Sequence, residues 1–150
     1  MILAQAGRFG GWSLYLQDGK PTYTYNWLGL QRYTVASGQK LPPGKATIRY
    51  AFVYDGGGAG KGGTGTIFVN GKSVASARIE RTQCCMFSGD EGADVGADEG
   101  TPVTDAYKVP FKFTGTIEKV TVELKDGKPA DLDAGDKAEG DAAVKKGLAD

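Results

Sequence analysis

Residues 55–65 read DGGGAGKGGTG, seven glycines in eleven positions, and residues 66–80 continue TIFVNGKSVASARIE. The second string decides how the first is read. A Walker A loop needs G-x-x-x-x-G-K-[ST], so that backbone N–H groups cradle phosphates and a hydroxyl reaches Mg²⁺. Here Gly60-Lys61 is followed by Gly62, and Asp55 stands where the first glycine belongs. A dinucleotide fingerprint, G-x-G-x-x-G, is met by residues 60–65. It works only when a helix comes next, because the helix N-terminus holds the pyrophosphate. Instead the chain continues with a β-branched and aromatic run, an Asn70-Gly71 turn and a second alternating run. That is strand, hairpin, strand. The nucleotide reading fails on context, and the glycines are expected to link two antiparallel strands. Such a connection is long for a hairpin, and long loops are often functional. Asp55, Gly58 and Lys61 are therefore candidates for a ligand or partner surface.

The same grammar recurs along the rest of the chain. WSLYLQ (12–17) alternates Trp12, Leu14 and Leu16 against Ser13, Tyr15 and Gln17, and stops at Asp18-Gly19. TYTYNWL (22–28) and QRYTVAS (31–37) flank Gly29, LPPG (41–44) is a turn, and KATIRYAFVYD (45–55) leads into the glycine run. After a loop over 83–110, FTGTIEKVTVELK (113–125) has a broken period-two pattern that a bulge near Glu118-Lys119 would repair. Seven to nine strands at this spacing predict an all-β, two-layer antiparallel sandwich over 1–125. Residues 126–150 turn Ala-, Asp- and Lys-rich, and a weak, short C-terminal helix is expected there after Pro129.

Composition narrows the chemistry. The 150 residues suit one domain, and the formal net charge is zero, so no overall field draws in nucleic acid or an acidic membrane. The charge is uneven: residues 1–89 carry ten Lys/Arg against three Asp/Glu, and residues 90–150 carry eight against fifteen. The absence of histidine removes Ser-His-Asp and Cys-His nucleophilic systems and every His-ligated metal site. The two cysteines, Cys84 and Cys85, are neighbours and make no disulfide framework. MILAQAG lacks the basic and apolar regions of a secretory signal, and no apolar run approaches the roughly 20 residues of a membrane span.

The strings GRFGGWSLYLQDGKPTYTYNWLGLQRY (7–33), YAFVYDGGGAGKGGTGTIFVNGKSVA (50–75) and DVGADEGTPV (94–103) together resemble the C-terminal region of bacterial arylsulfatases. The resemblance runs over nearly the whole chain. It implies a jelly-roll sandwich of the concanavalin A/laminin-G-like kind, following a catalytic domain, in proteins usually periplasmic or secreted. It also implies a strand ahead of ILAQAGRFGG that this sequence lacks, which would leave a sheet edge bare. The expected partners are accordingly a second copy of the chain or a docked sulfatase-type catalytic domain. Sulfatase activity is not carried over. The formylglycine motif C/S-x-P-x-R is met by neither Cys84 nor Cys85, so the chain is expected to be no enzyme.

Three further candidate sites rest on the residues alone. Asp90, Asp94 and Asp98 recur at spacing four in an acidic stretch and are candidate calcium ligands, although the EF-hand pattern is not met. The stronger reading there is a solvated acidic loop facing the basic first part. Tyr15, opposite in parity to Trp12, is the aromatic expected to be exposed and the best candidate for stacking a carbohydrate, the alternative partner. A sandwich glycosidase would need two facing carboxylates from Glu80, Glu118 and Glu123, and nothing in the sequence marks a pair.

Overall fold

The computed structural model describes residues 1–84, 87 and 91–124. Among these, ten strands carry the fold: β1 (Leu3–Gly7), β2 (Gly10–Gln17), β3 (Lys20–Trp27), β4 (Gln31–Ala36), β5 (Ile48–Tyr54), β6 (Gly63–Val69), β7 (Lys72–Ile79), β8 (Ala93–Val95), β9 (Ala97–Asp98) and β10 (Phe111–Lys112). Each of their ladders is antiparallel. The larger sheet runs β4-β3-β2-β1-β8, the smaller β5-β6-β7, and β9 pairs with β10. The all-β, two-layer antiparallel sandwich expected from the sequence is the architecture found.

Turn chemistry sets the register. Asp18-Gly19, Leu28-Gly29 and Asn70-Gly71 all have positive φ at both residues, the backbone shape that matches the twist of flanking strands. The glycine run divides in two. Residues 55–62 make the loop, while Gly63 and Gly65 already belong to β6. A Cβ at Gly65 would overlap the Tyr50 ring, and one at Gly63 the Phe52 ring. Gly65 serves the core by letting the Tyr50 ring lie across the neighbouring strand, and Gly63 does the same for Phe52 at the rim.

The main core lies between the sheets. Leu14, Tyr23, Tyr25, Tyr33 and Val35 from the larger sheet meet Ile67 and Ile79 from the smaller, and Tyr23 stacks on Tyr50 at 3.6 Å. A second core covers the outer face of the larger sheet, where Met1, Ala4 and Tyr15 pack beneath Tyr107, Val109 and Phe111. The tyrosine expected to be exposed is therefore buried: Tyr15 is 1 % accessible. Its ring meets Tyr107 edge-on at 5.2 Å, and its hydroxyl lies 3.2 Å from Thr24 Oγ1. The alternation along β2 implies one solvated face, but the chain around 103–111 folds back as a strap and dries it.

Two expectations about the second half are corrected. The region 83–110 is not only loop, since β8 and β9 lie within it. Residues 114–124 join no ladder, so the strand and the bulge near Glu118-Lys119 are not formed; the bulge found is between Ile67 and Phe68. The tail over 126–150, where a short helix was expected, lies outside the described residues. The basic first part and the acidic second part do meet, through Arg32–Asp105 at 3.7 Å and Lys45–Glu118 at 2.6 Å.

Candidate interaction surface

The structure gathers Asp55, Gly58 and Lys61 in one loop and ties that loop to itself and its flanks. Tyr54 donates its hydroxyl hydrogen to the Gly58 carbonyl, and Lys61 N–H donates back to the same hydroxyl at 3.0 Å. Thr82 Oγ1 donates to the Lys61 carbonyl at 2.7 Å, and Asp55 N–H donates to the Gly62 carbonyl at 3.0 Å. Arg78 grips the Asp55 carboxylate with both guanidinium nitrogens, at 2.9 and 2.5 Å, which holds that carboxyl below its ordinary pKa. A phosphate cradle needs N–H groups aimed at solvent. Here the N–H groups of Asp55 and Lys61 are already used within the loop.

The acidic stretch is divided as well. Asp90 lies outside the described residues, Asp94 is on β8, and Asp98 is on β9 with its carboxylate buried. Tyr107 donates to Asp98 Oδ2 at 2.6 Å. Burial raises the Asp98 pKa, the Tyr107 and Gly100 hydrogen bonds oppose the rise, and Asp94 and Glu91 add to it. Among the described residues no group of three or more His, Cys, Asp or Glu is placed to hold a metal ion. Glu91, Asp94 and Glu99 line an open hollow of about 320 Å³. Glu91 accepts from Thr101 N and Oγ1, both at 3.1 Å, and Glu99 pairs with Lys112 at 3.7 Å. Glu91 and Glu99 thus stabilise their own loop.

The surface that sequence reasoning missed lies at one end of the larger sheet. Two turns stand side by side there: Arg8-Phe9 between β1 and β2, and Leu28-Gly29 after β3. Asn26, fully buried, joins them. Its Nδ2 donates to the Gly7 and Arg8 carbonyls at 3.0 and 2.9 Å, and its Oδ1 accepts from Gly29 N–H at 2.9 Å. Three apolar side chains project from this braced platform: Phe9 and Leu30 are 74 % and 76 % exposed, and Leu28 is exposed as well. Phe87 lies against Gly10 beside them, and Arg81 sits 5.3 Å from the Trp27 ring centre.

Leu28 is in an unfavourable conformation for its type. Its φ is 56°, a left-handed state that costs a non-glycine L-residue about 1–2 kcal/mol. The other two turns of this shape place Asp18 and Asn70 at the same point, the residue types that tolerate it. A leucine there gives up stability and exposes apolar surface together. Strained residues that persist in a well-braced setting concentrate at functional sites. The signal in the sequence is a Leu-Gly where two sister turns have Asp-Gly and Asn-Gly.

No protein-family model matches this chain, and no curated protein and no solved structure matches it either.

Proposed function

We propose that the chain is a non-catalytic accessory β-sandwich domain, resembling the C-terminal domain of bacterial arylsulfatases, and that it works by docking a protein partner on its Phe9–Leu28–Leu30 end. The observation that carries this reading is Leu28: exposed, apolar and strained, on a turn held by the buried Asn26. Protein interfaces centre on a few large side chains in rigid settings, surrounded by a polar rim that includes arginine. Arg8 shares the turn that carries Phe9, and Arg81 lies over the ring of Trp27, the neighbour of Leu28. The partner the resemblance implies is a sulfatase-type catalytic domain.

Support for the other classes is thinner. A carbohydrate platform loses its leading aromatic with Tyr15 buried. For a glycosidase, Glu118 is tied to Lys45, Glu80 sits 3.7 Å from Arg78, and neither Glu118 nor Glu123 lies on a strand.

The test uses Leu28→Asn. Asparagine accepts the left-handed conformation, so the variant is expected to be more stable to urea, by about 1 kcal/mol. It is also expected to bind the isolated catalytic domain of a bacterial arylsulfatase roughly ten-fold more weakly than the unaltered chain. Calorimetric titration of both proteins decides the matter. Equal binding by the two, or none by the unaltered chain, rejects this reading.

A further inference from the structure

We infer that two copies of this chain join along the open side of the sandwich, each laying residues 116–124 against the other's β5. The inference rests on the reading that the chain works through protein contacts, but it concerns a different surface and a different partner. The two layers are unequal, and the mismatch falls on one side. At the β4 side, β7 lies across the core from its counterpart. At the other side β5 is, among the described residues, an edge strand; with β7 over β4 and β6 over β3 and β4, the five-strand sheet runs on past the three-strand one through β1 and β8. Val95 on β8 pairs with Leu3, which pairs with the core residue Leu14, so all three share the inner face. Nevertheless Val95 is 57 % exposed, and Phe52 at the rim of β5 is exposed too. The smaller layer is short of strands where the larger one still presents apolar surface.

The same chain holds an unpaired segment with the chemistry to fill the gap. Residues 116–124 read TIEKVTVEL, five of nine β-branched, with Val120, Val122 and Leu124 on one parity and Lys119, Thr121 and Glu123 on the other. These residues join no ladder, and Val122 and Leu124 are 61 % and 91 % exposed. An exposed edge and an exposed strand-forming segment are each a template for pairing with another chain.

Direction favours a second copy over self-pairing. The exposed Lys45–Glu118 ion pair places the start of the segment beside the approach to β5, with Ile117 next to Gly96. Laid along its own β5 from that anchor, the segment would run parallel to it, whereas the ladders among the described residues are all antiparallel. A two-fold axis perpendicular to the sheet reverses the partner's segment. One copy's segment then fits between the other copy's β5 and that copy's own segment, antiparallel to both. The result is one continuous sheet, β7-β6-β5, two segments, then β5-β6-β7 of the second copy. The pairing is isologous and closed. Val120, Val122 and Leu124 cap the rim near Phe52, and Glu123 falls on the outward face that carries Arg49.

The experiment measures mass by light scattering from nanomolar to tens of micromolar, under reducing conditions because Cys84 is an exposed thiol. Hydrogen exchange of residues 116–124 is followed in parallel. A dimer is expected, with those amides protected only where the dimer forms. V122K and L124K alter side chains already exposed in the single chain, and should weaken dimerisation roughly ten-fold or more with the monomer's melting midpoint unchanged. A chain monomeric throughout overturns the inference, as does a dimer indifferent to both lysines. Protection of 116–124 that does not change with dilution also overturns it, since that is pairing within one chain. L28N should dimerise like the unaltered chain; a dimer lost there and retained in V122K overturns this inference and leaves the turn-end surface standing. Failure to bind a catalytic domain, with the dimer intact, removes only the earlier reading.

Discussion

The two sheets of this sandwich are built to different standards. In the larger sheet β2 and β3 are buried on both faces, down to Ser13, Thr22 and Thr24 on the side a simple sandwich would leave wet. In the smaller sheet the described residues cover only the inner face; the outer face of β5, β6 and β7 presents Arg49, Phe68, Ser76 and Arg78. The contrast shows where interaction surface can arise. A sheet dried on both faces has only its turn ends and edges to offer, which is where Phe9, Leu28 and Leu30 project. A sheet dried on one face keeps a usable edge. The largest expected effect comes from this difference. Tyr15→Ala should cost about 3–5 kcal/mol, as for other fully buried aromatics. Phe68→Ala, on the outer face 3.9 Å beneath the Arg49 guanidinium, should cost no more than about 1 kcal/mol. Urea unfolding of the two variants measures the gap, and equal costs would mean that the outer faces of the two sheets are covered alike.

Asn26→Ala is next in size. It removes the donor for two carbonyls and the acceptor for one N–H at a fully buried position. Leaving such groups unpaired should cost about 2–3 kcal/mol. The variant also localises the difference between the sheets, because exchange should accelerate at the Arg8-Phe9 and Leu28-Gly29 turns while the Asn70-Gly71 turn of the smaller sheet is unchanged. Uniform acceleration would mean that Asn26 supports the whole sheet and not its end.

These two sites also show what could and could not be read from residues in order. The hairpins are legible because their signals are local: Asp18-Gly19 and Asn70-Gly71 close turns between alternating runs, and both lie where expected. The burial of Tyr15 is not legible, since it depends on Tyr107 and Phe111, some ninety residues away, folding across the sheet. The 113–125 stretch carries a strand's pattern, and a pattern states only what a segment prefers. Pairing also needs an edge that runs the right way, and the edge beside this segment's start, β5, would take it parallel where the ladders among the described residues are antiparallel. Asn26 looks like one more polar residue in TYTYNWL; nothing in that string tells that its amide would bridge two turns.

A smaller effect separates the sheets through pH. Asp98, buried under the strap, has its pKa raised chiefly by burial. Its native state therefore holds the proton more tightly than the unfolded chain, where a carboxyl titrates near 3.9. Stability gained from Asp98 appears as pH falls through the raised value, and is lost as pH rises through it. Asp98→Asn keeps an acceptor for Tyr107 and carries no charge. Its midpoint should lose that dependence, standing closest to the unaltered protein in acid and above it near neutrality. Unfolding midpoints between pH 3 and 7 would show the two curves separating upward; parallel curves would mean that the buried carboxylate is solvated in ways the Tyr107 contact does not suggest.

The smallest effect has the opposite sign and belongs to the smaller sheet. Asp55 is exposed, and the Arg78 hydrogen bonds lower its pKa. The stability it supplies is present above the unfolded carboxyl value and is lost as pH falls through the lowered one. Because the pair is open to solvent, salt should screen most of it. Asp55→Asn should therefore shift the midpoint slightly at low ionic strength and not at all in high salt, with the difference fading toward acid. The local consequence is easier to read. Asp55 anchors the start of the 55–62 loop, whose other ties run through Tyr54 and Thr82. The Asp55→Asn variant should speed exchange of the residue 55 amide, which donates to the Gly62 carbonyl, and leave Lys61 protected by the Tyr54 hydroxyl. Should Lys61 exchange faster as well, the loop depends on one surface ion pair, and the smaller sheet's end is held far more loosely than the Asn26-braced end of the larger.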